Sequence, residues 1–164
     1  MSSKTSRGRP AAPRRTLTKT MLLPLDNTSV QTQSLSHHLA LAACRNGQGN
    51  AYLFNELIRT TYIVWFLQQA GYGDEPVERH KAVEHAVEAT HMHADESNEW
   101  ILAADAVSAF ERLLVLHDWQ LNVAPRYKVI DAEQQLKRFL AGTASSPIPN
   151  PRQGGTVAAH PSHI

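Results

Sequence analysis

An all-α fold, a small bundle of four to five helices, is what this 164-residue sequence predicts. Three observations carry that reading. Apolar residues recur three and four apart over several stretches, each stretch is bounded by a capping residue, a Gly or a Pro, and the connections between stretches are short. Apolar residues make up 42% and charged residues 19%, as in ordinary globular domains. The expected organisation is a disordered basic arm over residues 1–20, a helical domain over 21–142 and a disordered tail over 143–164, where Pro, Gly and Ser dominate and nothing apolar repeats.

In "SLSHHLALAACRNG", Ser34 suits an N-cap, Leu35, Leu39, Ala42 and Ala43 share one stripe, and Gly47 stands where a helix ends. Asn50 can cap the next helix, "AYLFNELIRTTYIVWFLQQAG", whose second half is apolar nearly all round and so reads as central; Gly71 closes it. Pro76 opens a third helix over about 76–93, with Asp74 and Glu75 against the positive end of its dipole. Its thin apolar face of Val83, Ala86, Val87 and Thr90 suggests a surface position. The fourth, "DAVSAFERLLVLHDWQLNVAP", lines up Val107, Phe110, Leu113, Leu114, His117 and Leu121 before Pro125. A short fifth, about 129–141, uses Ile130, Leu136, Phe139 and Leu140 and ends at Gly142.

Several chemistries are disfavoured. Cys44 is the only cysteine, so no intramolecular disulfide forms and a reducing, cytoplasmic location is expected. The longest apolar run, "YIVWFL", is far short of the roughly 20 residues of a membrane span. "MLLPL" is too short for a secretory signal, and Pro10, Pro13 and Pro24 disfavour the amphipathic helix of a mitochondrial presequence. Among the nine histidines, His80 and His85 are five apart and His91 and His93 two apart, so neither pair converges on a helix. Glu88 and His91 have the Glu-x-x-His spacing of di-iron bundles, but no second copy exists. No metal site, catalytic set or cofactor is therefore expected. His117 is the one histidine on an apolar stripe; a core role is expected, with His37 or His38 as neighbours that could share a pocket with it. Residues 39–58 place Ala43, Gly47 and Leu53 at helix-turn-helix spacing, yet offer no basic residue before Arg59, so two core helices joined by a "GQG" turn are expected there.

The net charge of +1 hides an asymmetry. Lys4, Arg7, Arg9, Arg14, Arg15 and Lys19 give the first twenty residues +6 with no acid among them, and residues 21–142 carry −6. Within the arm, Arg7-Gly8-Arg9-Pro10 is identical to, and so resembles, the core of the AT-hook. In such a core arginines enter the narrow, electronegative A·T minor groove, glycine permits close backbone approach and proline keeps the chain extended. The resemblance, which covers Arg7-Gly8-Arg9-Pro10 and the flanking Lys4, Arg14 and Arg15, implies Arg7 and Arg9 as the minor-groove residues; with Gly8, Pro10 and Lys19 these form the expected nucleic-acid-binding set. Two departures stand out: Ser6 precedes the core where a proline is usual, and there is one copy, so the folded part would have to self-associate or add contacts. The body is also similar to small proteobacterial helical proteins, some of them called Fis-type transcriptional regulators, although no residues match the Fis recognition helix. These readings lead to the expectation of a non-enzymatic, DNA-associated or regulatory protein that contacts DNA through the arm and pairs with a second copy or a protein partner. The alternative is a protein-interaction module with no nucleic-acid role, since blocks of like charge often serve as interaction tails.

Overall fold

The computed structural model describes residues 16–151 and, among them, places six α-helices and no strand. In chain order these are α1 (Lys19–Leu22), α2 (Asn27–Arg45), α3 (Ala51–Gln69), α4 (Val77–Ser97), α5 (Ala104–Val123) and α6 (Arg126–Leu140). The all-α bundle is as expected, with a single-turn α1 added at its edge. That turn is held by a hydrogen bond from the Arg126 backbone N–H to Leu23 O at 2.8 Å.

The first long helix begins seven residues before the expected cap. Asp26, not Ser34, takes the N-cap, accepting from the Ser29 backbone N–H at 2.9 Å and from its hydroxyl at 2.7 Å. This satisfies a backbone donor that the first turn leaves unpaired. The Thr32 hydroxyl folds back on Thr28 O, so the polar run is tolerated inside the helix. The buried face differs too. Leu35 and Leu39 are 60% and 59% exposed, whereas Val30, Ala40, Leu41 and Cys44 are buried. Small residues at 40 and 44 let neighbours come close: a Cβ on Gly49 would lie 2.4 Å from Trp100 O and 2.9 Å from Cys44 Sγ.

α3 is central, as its sequence predicts. The Asn50 side chain accepts from Leu53 N at 3.0 Å, and α3 packs on α2, α4, α5 and α6. Its buried Thr60 and Thr61 return their hydroxyl protons to Glu56 O and Leu57 O one turn back. Two apolar clusters follow from this arrangement. Phe54, Leu57 and Val64 join Leu41, Val83, Phe110 and Leu114 in one. Trp65, Phe66 and Leu67 join Val30, Leu121, Val129 and Leu136 in the other.

α4 runs four residues past its expected end because nothing breaks it before Asn98, which adopts a left-handed φ of 58° and donates to Ala94 O. It packs on α3 and α5. On α5 all six stripe residues are buried, Gln120 with them. α6 starts directly after Pro125, three residues early. Its core face is Val129, Ala132 and Leu136, while Leu140, expected on that face, is 56% exposed.

Residues 143–151, expected within the disordered tail, lie against the bundle instead. Ile148 is buried in the second apolar cluster, and the Ser146 hydroxyl contacts Glu84 Oε1 at 2.5 Å, with Lys81 Nζ 3.2 Å from the same hydroxyl. Ile148 is the one apolar residue in "SSPIPNP", and its burial anchors the segment. Among the described residues no helix is long and apolar enough to cross a membrane.

Candidate functional site

Of the residues expected to contact nucleic acid, Lys4, Arg7, Gly8, Arg9, Pro10, Arg14 and Arg15 lie outside the described residues, and Lys19 begins α1. α1 rests on α6, which carries Arg126, Lys128, Lys137 and Arg138 against Asp131 and Glu133. Elsewhere in the bundle most cations are consumed locally. Arg45 faces Glu111 and Arg59 faces Glu56, each at 3.8 Å, Arg79 pairs with Glu75, and Lys81 meets Glu84 at 2.6 Å. Lys19 and the four cations of α6 form no salt bridge with any described residue. The acid is concentrated in one stretch of chain: residues 74–99 hold eight carboxylates and two cations, a net −6 that equals the charge of the whole 21–142 body. Lys19 therefore begins a helix that packs on α6, whose own net charge is +2.

A second feature lies inside. The rings of His37 on α2 and His117 on α5 approach to 5.3 Å between centroids. This brings together one of the pairs the sequence suggested, and it is His37, not His38, that turns inward. His38 instead reaches Asp118 Oδ2 at 2.9 Å on the partly exposed seam between α2 and α5. Gln120 fixes the protonation of His117. Its amide nitrogen donates to Val64 O at 3.1 Å and Tyr72 O at 2.7 Å, so its oxygen is left to accept, and His117 Nδ1, 3.5 Å away, must carry the proton. Nε2 of His117 then presents a lone pair. Burial, reinforced by the neighbouring His37, pushes the His117 pKa down to about 4, and burial lowers that of His37 despite nearby Glu56 and Asp118. Both rings are neutral at pH 7.

These two histidines line a cavity of about 320 Å³ between α2, α3, α5 and α6. His37 Nδ1 is buried with no hydrogen-bond partner. A wider groove of about 750 Å³ between α4 and α5 is lined mostly by alanines and other apolar residues, includes His85 and His93, and gathers fewer polar groups. Among the described residues no group of three His, Cys, Asp or Glu could hold a metal ion. Glu88 is exposed, and His91 packs edge-on against Phe54 and Trp100 at 5.4 and 5.3 Å. Cys44 is fully buried, which pushes its thiol pKa up and leaves it an inert core residue. The "GQG" segment forms the turn expected of it, with Gly47 at φ +71°.

A third feature is apolar and outward. Leu35 and Leu39 on α2, and Val115 and Trp119 on α5, are exposed on two helices tied together by His38–Asp118 and Arg45–Glu111. No protein-family description, curated protein or solved structure matches this chain.

Proposed function

We propose that this is a non-enzymatic, DNA-associated regulatory protein of the cytoplasm, in which the arginine-rich arm enters an A·T minor groove while α1 and α6 rest on the flanking phosphates. The observation that carries the reading is the segregation of charge. The arm's last cation, Lys19, begins α1, which packs on α6, whose four cations form no salt bridge with a described carboxylate, and the acid is concentrated in residues 74–99 of the chain. Cations not held by carboxylates give counterion release when they meet a polyphosphate.

The test is fluorescence anisotropy of A·T-rich and G·C-rich duplexes at two salt concentrations. Six arm cations that displace counterions give a log–log salt slope of about −5, and the α6 cations make it steeper. The Arg7→Ala, Arg9→Ala double variant should lose the A·T preference. The Lys137→Ala, Arg138→Ala double variant should weaken both duplexes alike and flatten the slope by up to about 2. Absence of binding even at low salt would remove DNA from the account.

One observation favours a second reading, an interaction module. Leu35, Leu39, Val115 and Trp119 leave large apolar side chains in water on one pair of joined helices, an arrangement common at protein interfaces. If that face does the work, Leu39→Glu with Trp119→Glu abolishes partner or self-association, and deletion of residues 1–15 does not.

A further inference from the structure

The cavity lined by His37 and His117 has an inventory of polar atoms that is unbalanced in a specific direction. Thr60 and Thr32 have already given their hydroxyl protons to Glu56 O and Thr28 O, both at 2.8 Å, so each oxygen turns only lone pairs outward. His117 Nε2 offers another lone pair, by the tautomer that Gln120 imposes. Glu56 and Glu133 add carboxylates to the same lining. Against these acceptors stand Arg59, which faces Glu56 at 3.8 Å, together with Ser36, Gln33 and one ring N–H of His37. With both rings neutral, the lining bears two negative charges and one positive. Ile63, Leu121 and Val129 supply an apolar wall beside them.

We infer that this cavity is a binding site for a small aliphatic amine held as its ammonium ion. The charged head would donate to the carboxylates of Glu56 and Glu133 and to the threonine oxygens, and the methylene chain would lie on Ile63, Leu121 and Val129. An ammonium brings donors, positive charge and a short apolar stem, which are the three things this lining lacks a partner for. A carboxylate or phosphate would meet two carboxylates and mostly lone pairs. A metal ion would find no three converging ligands among the described residues. The volume, about 320 Å³, suits a molecule of a few to a dozen heavy atoms rather than a macromolecular segment. The inference does not depend on DNA binding, and its test contains no DNA.

The experiment is isothermal titration calorimetry, with saturation-transfer NMR, on the full chain at pH 7.5, using n-butylammonium and 1,4-diaminobutane as probes and n-butanol and butyrate as shape-matched controls. Saturable one-site binding of the ammonium probes is expected, without detectable binding of the controls. Glu56→Gln and Glu133→Gln should each weaken it by about tenfold or more, as loss of a charge-assisted hydrogen bond does. Glu133 is exposed on α6, so its variant tests the site without threatening the core. Glu96→Gln with Glu99→Gln, at the far end of α4, should leave binding unchanged. Any of four results overturns the inference: no binding of any probe at 10 mM (on the order of the weakest affinities worth assigning), equal binding of n-butanol, preferential binding of butyrate, or a loss with Glu96→Gln, Glu99→Gln as large as with Glu133→Gln.

Discussion

Replacing Gln120 by leucine isolates the group that organises the interior. The side chain is fully buried, and the exchange roughly keeps its volume while removing every hydrogen bond it makes. Val64 O keeps its place in the helical ladder of α3, so its loss is small. Tyr72 O, which receives the 2.7 Å bond, and His117 Nδ1–H, whose acceptor is the Gln120 oxygen, are left without the partners described. Each orphaned buried group costs about 1–3 kcal/mol, and the added apolar surface of leucine returns part of that. The expected net loss is about 2–4 kcal/mol, a large share of the roughly 5–15 kcal/mol that holds a domain together. Urea denaturation followed by tryptophan fluorescence should show a lower midpoint with an unchanged m value. Adding His117→Phe to the variant removes one of the two orphans and should recover about 1 kcal/mol, a non-additivity that a double-mutant cycle reads directly. A loss below about 1 kcal/mol for Gln120→Leu, or strict additivity in the cycle, would refute the argument that the amide sets the protonation of His117.

Three further outcomes are expected. His117 titrates near 4 in the fold and near 6.5 when unfolded, so the unfolded chain takes up the proton first; stability is full above pH 6.5, falls on acidification toward 4 by on the order of 3 kcal/mol, and is flat below for this group. His37 and His80, both lowered by burial, add in the same direction, and urea midpoints between pH 7.5 and 4.5 should be steeper for the natural chain than for His117→Phe. Ile148→Ala should cost about 2–3 kcal/mol by thermal or urea denaturation, whereas a tail disordered from residue 143 would show no change. Gly49→Ala should destabilise by about 1–3 kcal/mol, because its Cβ meets the Trp100 carbonyl, a backbone atom that cannot rotate away.

The long elements were legible because punctuation and periodicity agree there. Asn50, Gly71, Pro76 and Pro125 mark boundaries that the structure keeps, and the α5 stripe is buried residue for residue. The face of α2 was not legible, for a physical reason. "LALAAC" is apolar on every side, so two overlapping stripes fit it, and tertiary packing selects the one with small residues at 40 and 44. That choice turns His37 inward and leaves Leu35 and Leu39 in water, which is why His37 and His38, about 100° apart on a helix, could not be told apart in advance. The acceptor-rich character of the cavity was hidden for a similar reason. It depends on where the hydroxyls of Thr32 and Thr60 spend their protons and on the orientation of one buried amide, none of which a spacing reveals. The strap at 143–151 rests on a lone isoleucine among prolines, a signal too small to outweigh composition.

That strap bears on the order in which the molecule can be made. Ser146 meets Lys81 and Glu84 across 65 and 62 residues of chain, and Ile148 completes a cluster otherwise built from α2, α3, α5 and α6. On the ribosome, α4 emerges with its carboxylates long before Ser146 exists, so Glu84 waits for that partner while α5 and α6 are synthesised. Contacts of such high sequence separation form late and repay their loop-closure entropy only at the end. The contacts of Ser146 with Lys81 and Glu84, and of Ile148 with the second cluster, therefore form only after α5 and α6 have been made.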